Sequence, residues 1–522
     1  MIQISHLAKA KILTPLLFSS LAFSIAGGKA STEPAAIRQS GKIAAGTKWE
    51  TNYYSIDSGV EGPTVLVVGG MHGNEPAGFL AAQQIRHWPI VKGKLVVIPR
   101  SNVLALDAKT RLTPGEPKES GNLNRNFPIP PSAKTAVPRG KLAMALWKFA
   151  GKLQPDWVID LHEGFEFNVS HNPPEGRKKS VGSTVIYEGG EKMDPLAERM
   201  IEAANTTVTD PDKRFTLLRG GPVDTGLAQS CIQVLGAEAL ILETTYKEQP
   251  LSLRTRQHRL MTNVLLNHIG LTDRDCQNLF AAENSSDRIL VGKFDGRGVG
   301  GDNASNINKI ITRSADMGVH HLGPADMRPE VLKQFDVVLF PGGSGSKQAG
   351  AIGEEGRAAV RNFIEDGGGY LGVCAGAYLC SSHYSWSLNL IDSSVFTGSR
   401  EIPGVGKKSM WYRGKTADID IELTSQGKGL FPDINPEFVV RYHNGPIISP
   451  KGLDDLEDYE VLAWFRSETS LWEPQKGTMI NTPAIVSGSF GKGRVISVSP
   501  HPEATESLHS IIENSIRWVA GE

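Results

Sequence analysis

At 522 residues the chain exceeds what one ordinary hydrophobic core encloses, so two domains are expected. Apolar residues make up 40% and charged ones 21%, which excludes a disordered or collagen-like chain and matches a soluble globular protein. The formal net charge of −1 leaves no basic excess, so no nucleic-acid partner is expected.

The first segment, MIQISHLAKAKILTPLLFSSLAFSIAGGKA, sets Lys9 and Lys11 before an apolar run from about Ile12 to Ala26 and closes on small residues. That is the layout of a signal peptide over residues 1–30, the run being short for a membrane anchor. A secreted or periplasmic protein starting near Ser31 follows, with no stable membrane span after cleavage and a net charge of −4 once three lysines are removed. Only four cysteines occur (Cys231, Cys276, Cys374, Cys380), too few for a disulfide scaffold. Whether Cys231 and Cys276 pair is left open, and Cys380 reads as core packing.

TVLVV, KLVVIP, DWVIDL and EALILE then serve as strands alternating with helix-like segments from about residue 48 to 272. The polar stretch over 273–286 reads as a linker. A second alternating series, expected over 287–520, runs through RILVGKF, FDVVLFPGG, the helix GEEGRAAVRNFIEDG, the strand GGYLGVC and GRVISVSP. Alternation of this kind predicts α/β architecture in both domains.

The first strand leaves through GGMHGNEPAG, which sets His72 and Glu75 three apart on a loop at a strand's carboxyl end. DWVIDL ends directly in His162. Two imidazoles and one carboxylate form a His₂Glu ligand set for zinc with a fourth position left for water. Zinc lowers that water's pKa to about 7, and Glu243, at the end of EALILE, is the carboxylate placed to accept its proton. Gly69, Gly70 and Gly73 permit the sharp turn that brings two of the ligands together.

Between the ligands lies PRSNVLALDAKTRLTPGEPKESGNLNRNFP. The series HGNE, N-x-x-A with a following Arg, NLNRNFP, DLH and a strand-end Glu resembles the zinc carboxypeptidases, closest to the succinylglutamate desuccinylase/aspartoacylase branch. The resemblance implies a mixed sheet with flanking helices, zinc on His72, Glu75 and His162, and Glu243 as general base. It further implies that Asn124 and Arg125 hold a substrate carboxylate and that Arg111 stabilises the oxyanion. The branch commonly carries D-L-N-R where this chain has Asn122-Leu123-Asn124-Arg125.

In the second series, Gly372-x-Cys374-x-Gly376 stands at a strand-to-helix junction, where small residues permit a strained nucleophile elbow. Pro341-Gly342-Gly343 ends the preceding strand, and His501 and Glu503 follow the last one. Cysteine, then H-x-E, supplies nucleophile, base and orienting acid. This set resembles the class I glutamine amidotransferases, and GVCAGAYL with YHNGP resembles the amidotransferase-like N-terminal domain of biotin–protein ligases. The resemblance implies a flavodoxin-like fold, a Cys374–His501–Glu503 triad and Gly343 as an oxyanion-hole donor. No ATP-binding loop and no biotin-transfer segment accompanies it, so hydrolysis and ligand capture without turnover both stay open.

Together these readings predict an exported zinc hydrolase of amide bonds beside a carboxylate, acting on a small molecule or peptide, with cell-wall peptides as natural targets. The alternatives are a thiol amidase using Cys374 and a non-catalytic binding protein that keeps both folds.

Overall fold

The computed structural model describes residues 36–128, 137–222, 224–281 and 288–522. The signal peptide expected over residues 1–30 lies outside the described residues. Among these residues no helix is long and apolar enough to cross a membrane.

The first sheet comprises β1 (Ile37–Ile43), β2 (Thr51–Asp57), β3 (Thr64–Gly69), β4 (Lys94–Ile98), β5 (Trp157–Gly164), β6 (Thr184–Tyr187), β7 (Thr216–Arg219) and β8 (Glu238–Thr245). Its order is β1-β2-β4-β3-β5-β8-β6-β7. The centre, β4-β3-β5-β8, is parallel, while β1, β2 and the β6–β8 pairing are antiparallel. This is the mixed sheet expected. Strand alternation sends Val65 and Val67 into one core with Ile159 and Leu161, and Leu66 and Val68 into the other with Val158. Parallel strands covered on both faces read as unbroken apolar runs, which is why TVLVV and DWVIDL stand out in the sequence. The helices are α1 (Pro76–Ile85), α2 (Val103–Ala108), α3 (Lys118–Gly121), α4 (Lys141–Leu153), α5 (Asp194–Asn205), α6 (Leu227–Ser230) and α7 (Leu251–His268).

The second sheet begins with β9 (Ile289–Phe294), β10 (Met317–Leu322), β11 (Val337–Phe340) and β12 (Gly369–Val373). Two small ribbons pair β13 (Ser393–Val395) with β18 (Ile448–Pro450), and β14 (Ser399–Ile402) with β15 (Gly406–Ser409). The sheet continues through β16 (Ala417–Leu423), β17 (Glu437–Tyr442), β19 (Glu460–Phe465), β20 (Pro483–Phe490) and β21 (Gly493–Val498), in the order β10-β9-β11-β12-β21-β20-β19-β16-β17. Its parallel part, β10-β9-β11-β12-β21, has the doubly wound flavodoxin-like order expected. The helices here are α8 (Gly301–Arg313), α9 (Pro329–Leu332), α10 (Gly345–Glu365), α11 (Ala375–Cys380), α12 (Ser425–Leu430) and α13 (His509–Ala520). The helix read from GEEGRAAVRNFIEDG begins at Gly345, ahead of that motif, and carries a non-helical Gly353 at φ 71°.

The stretch read as a linker behaves differently over 273–281. Cys276 and Phe280 are fully buried, Trp88 Nε1 donates to Leu279 O at 3.1 Å, and Phe280 meets Phe335 edge-on at 5.8 Å. Apolar residues scattered through a polar stretch tie the two sheets together, and residues 36–522 form one compact unit. All four cysteines are free and buried, with Cys231 and Cys276 in different cores of the first sheet.

Candidate functional site

Three elements deliver the first cluster. β3 ends at Gly69, the loop behind it carries His72, and Glu75 is the N-cap residue of α1. A Cβ at Gly73 would lie 1.7 Å from Ala105 O, so only glycine lets this loop pass over α2. β5 brings His162 alongside, and β8 brings Glu243, the direct register partner of His162.

His72 Nδ1 lies 2.8 Å from Glu75 Oε1, and His162 Nδ1 lies 2.9 Å from Glu75 Oε2. The other nitrogen of each ring also faces an acceptor. His72 Nε2 is 3.0 Å from Asn122 Oδ1, whose orientation is fixed by a hydrogen bond from Asn124 N at 3.2 Å. His162 Nε2 is 3.0 Å from Asp160 Oδ2. A neutral imidazole has one N–H, so with its Nε2–H donating to Asn122, His72 presents an Nδ1 lone pair towards Glu75. His72, Glu75 and His162 could together hold a metal ion, and their nitrogen and oxygen donors suit zinc.

Within the cluster the charges act strongly on one another. Burial works to raise the Glu75 carboxyl, but the two imidazoles outweigh it and hold its pKa well below the usual range. Burial likewise opposes charge on His162, while Asp160 and Glu75 raise it well above the ordinary value. Glu243 is pushed up to about 8, chiefly by burial, with His162 opposing and Glu75 adding to the rise. Among the described residues its buried Oε2 has no hydrogen-bond partner, a cost that a cation or its water would relieve.

The arginines reach the same place. Arg111 Nη1 donates to Glu75 Oε1 at 2.5 Å from a half-exposed side chain. Arg125 Nη1 donates to Asn124 O at 2.6 Å, and burial followed by the Arg111 charge lowers its pKa. Asn124 stands differently from the carboxylate-holding role the resemblance implies. Its Oδ1 accepts from Leu227 N at 3.0 Å and its Nδ2 lies 3.2 Å from His162 Nε2. With that amide committed to protein partners, Arg125 is the member of the pair with donors left for a ligand.

Sequence reasoning missed the supporting polar groups. Asp160 precedes His162 by two on β5, so the strand period places both on one face, and D-x-H at a strand end was the available signal. Glu163 faces the other way, where it pairs with Arg254 and accepts from Ala77 N at 2.8 Å. That anchors the start of α1 behind Glu75, and no local motif announces it.

The second cluster stands at the carboxyl ends of β11, β12 and β21. Cys374 has φ 50° and ψ −92°, a strained backbone held by its N–H donating to Val498 O at 2.8 Å. A Cβ at Gly376 would fall 2.1 Å from Phe340 O, which explains the small residue after the thiol. The register Phe340↔Gly372 lays Pro341–Gly343 beside the elbow, and Gly343 takes φ 137° in a bridge to Val299. His501 Nδ1 and Glu503 Oε1 are 2.8 Å apart and buried, while His501 Nε2 has no hydrogen-bond partner. Burial disfavours the imidazolium, but Cys374 and then Glu503 raise His501 to about 10. YHNGP covers the thiol: Cys374 Sγ donates to His443 O at 3.6 Å, and Asn444, at φ 55°, accepts from Arg413 N at 2.6 Å.

Comparison with known proteins gives one family match in each half of the chain. Residues 61–170 match the family described as succinylglutamate desuccinylase/aspartoacylase catalytic domain, and residues 331–517 match biotin-protein ligase, N terminal. Each match falls on the part of the chain whose motifs resemble that family. The desuccinylase-like part is similar to the N-alpha-acetyl-L-2,4-diaminobutyric acid deacetylase of Halomonas elongata, with 35% identity over 107 residues, 20% of this chain and 29% of that protein. An uncharacterized protein of Chlamydia muridarum is 24% identical over 189 residues, 34% of this chain and 65% of that one. The chain thus spans less than two thirds of the length of these relatives. Among solved structures, a Gln46His variant of the cell shape determinant protein Csd4 of Helicobacter pylori is 23% identical, covering 40% of this chain and 52% of that one at a TM-score of 0.33. A succinylglutamate desuccinylase/aspartoacylase from Rhodobacter sphaeroides is 20% identical, covering 46% and 67% at a TM-score of 0.30.

Proposed function

We propose that this protein is an exported zinc-dependent hydrolase that cleaves an amide bond, peptide or N-acyl, next to a substrate carboxylate. On this reading residues 48–272 form the hydrolase domain and 287–520 an accessory amidotransferase-like domain. The observation that carries the proposal is the convergence of two Nδ1 atoms on one carboxylate, with an unpartnered Glu243 oxygen on the neighbouring strand.

His72, Glu75 and His162 hold the ion, and Asn122 and Asp160 fix the two ring orientations from behind. Zinc bound there supplies Lewis acidity towards a water and the scissile carbonyl. Arg125 pairs with the substrate carboxylate and sets the register of the bond to be cut. Glu243 accepts the proton as water oxygen bonds to the carbonyl carbon, then gives it to the departing nitrogen as the C–N bond breaks. Arg111 stabilises the charge on the carbonyl oxygen. The products are a carboxylate and an amine. The leader-like N-terminus supports peptide substrates outside the cytoplasm, cell-wall peptides among them.

A second reading, a thiol amidase, is favoured by the strained Cys374 and the His501–Glu503 hydrogen bond. One experiment separates these readings from a protein that only binds. The purified chain is assayed for metal and for hydrolysis of N-acyl amino acids and muropeptides, after a zinc chelator or after iodoacetamide. Zinc near one per chain with chelator-sensitive turnover supports the metal reading. Turnover lost only on alkylation assigns the reaction to Cys374, and metal-free binding without turnover overturns both.

A further inference from the structure

Lys293 is the penultimate residue of β9 and is 1% exposed. Among the described residues, no hydrogen bond or ion pair reaches its Nζ. Buried ammonium groups carry a large desolvation cost unless paired, so an unpaired one asks for an explanation.

Its surroundings sharpen the question. Ile289 and Val291 share a core with Ile307, Ile310 and Ile311 of α8, and strand alternation puts Lys293 on that same face, at the end nearer the start of α8. α8 is 13 residues long, and its N-cap Gly300 has no side chain to satisfy the first-turn amides. On the neighbouring strand His321, the register partner of Lys293, has a buried Nδ1 with no hydrogen-bond partner among the described residues. The one acid acting on Lys293 is Asp295. That carboxylate is already engaged, since Oδ2 accepts from Ser252 N at 2.8 Å at the start of α7 and lies 3.8 Å from His321 Nδ1. The lysine and the imidazole therefore share one acid that is already bonded to the start of another helix.

The place is also where such sheets bind ligands. In β10-β9-β11 the chain reverses direction at β9, and the carboxyl ends there form the switch point of the sheet. The glycine-rich loop 296–301 leads from β9 into α8, and it is tied to the loop before the Cys374 elbow by Gly300 N donating to Gly342 O at 2.8 Å.

We propose that the β9–α8 junction binds a small oxyanion, a phosphate or carboxylate group, through the Lys293 ammonium and the first-turn amides of α8, with His321 as an adjoining donor. The ion supplies a counter-charge for Lys293 and meets first-turn amides that the N-cap Gly300 leaves without a partner. Because its loop is bonded to the one beside Cys374, the bound group borders the second cluster and is independent of the metal cluster.

The test uses the full chain. Thermal unfolding is followed against inorganic phosphate and, separately, acetate, with ionic strength held constant by sodium chloride, and uptake is measured by calorimetric titration. A saturable rise in melting temperature is expected with one of the two anions, which identifies the phosphate or carboxylate form. Lys293→Met should weaken that anion about tenfold or more while folding as well as the parent. Lys293→Arg, which keeps the charge, should retain binding if Lys293→Met fails to fold. Absence of saturable binding by the parent chain overturns the proposal. So does an unchanged response in Lys293→Met, because anions taken up by Arg111 and Arg125 survive that substitution.

Discussion

Glu243 and Asp160 sit within reach of the same imidazole and do different work. Glu243→Gln removes the proton acceptor without touching a ligand, so turnover should fall by about 10²–10⁴ with metal content unchanged, as read by steady-state kinetics beside metal analysis. Asp160→Ala leaves His162 in place but takes away the carboxylate behind its Nε2, and metal affinity should drop by about 10–100-fold in a competition titration. A ligand-only view of the site predicts no change there. In the second cluster His501 gives a pH signature. Its folded pKa of about 10 exceeds the unfolded value near 6.5, so its contribution to stability is full below about pH 6.5 and is lost as pH rises through about 10. Cys374→Ala removes the largest cause of that elevation, and the loss should begin at lower pH in denaturant melts.

At the scale of elements, the glycines that flank each cluster set the strand-to-loop exits. Gly376→Ala drives a methyl into Phe340 O and should cost roughly 1–3 kcal/mol or more, read as a lower denaturant midpoint with an unchanged slope. These exits were legible because each one joins a short apolar run to glycine and a chemically distinctive residue: TVLVV to His72, DWVIDL to His162, GGYLGV to Cys374. Strand runs buried on both faces announce themselves, and a site at their carboxyl ends follows from the architecture. What the sequence hid is lateral. Asn122 behind His72, Arg254 behind Glu163 and the amide of Asn124 turned to Leu227 depend on which loops lie side by side. Local periodicity carries no trace of that. Lys293 was hidden differently, since a lysine near a strand end reads as solvated until the fold shows it buried.

For the whole molecule the decisive residues are those joining the sheets, and these were misread because a polar stretch with a few apolar residues looks like a tether. Phe280 is fully buried, meets Phe335, and lies under the Arg259 guanidinium at 4.1 Å. Arg259, itself buried, comes within 3.7 Å of Asp326. The first half supplies Trp88 and Arg259, the second supplies Phe335 and Asp326, and the 273–281 stretch with Phe280 packs against both. Halves bound by a seam of this kind should not unfold independently. A ligand that stabilises one then stabilises both, by mass action on a shared unfolding step. Metal added to the first cluster should therefore raise the melting temperature reported by Trp518 in the second half, and a chelator should lower it. Phe280→Ala should cost about 3–5 kcal/mol and split a single calorimetric transition into two, leaving the Trp518 signal indifferent to metal. Two resolved transitions in the parent chain, with only one responding to metal, would show that the seam does not couple the halves.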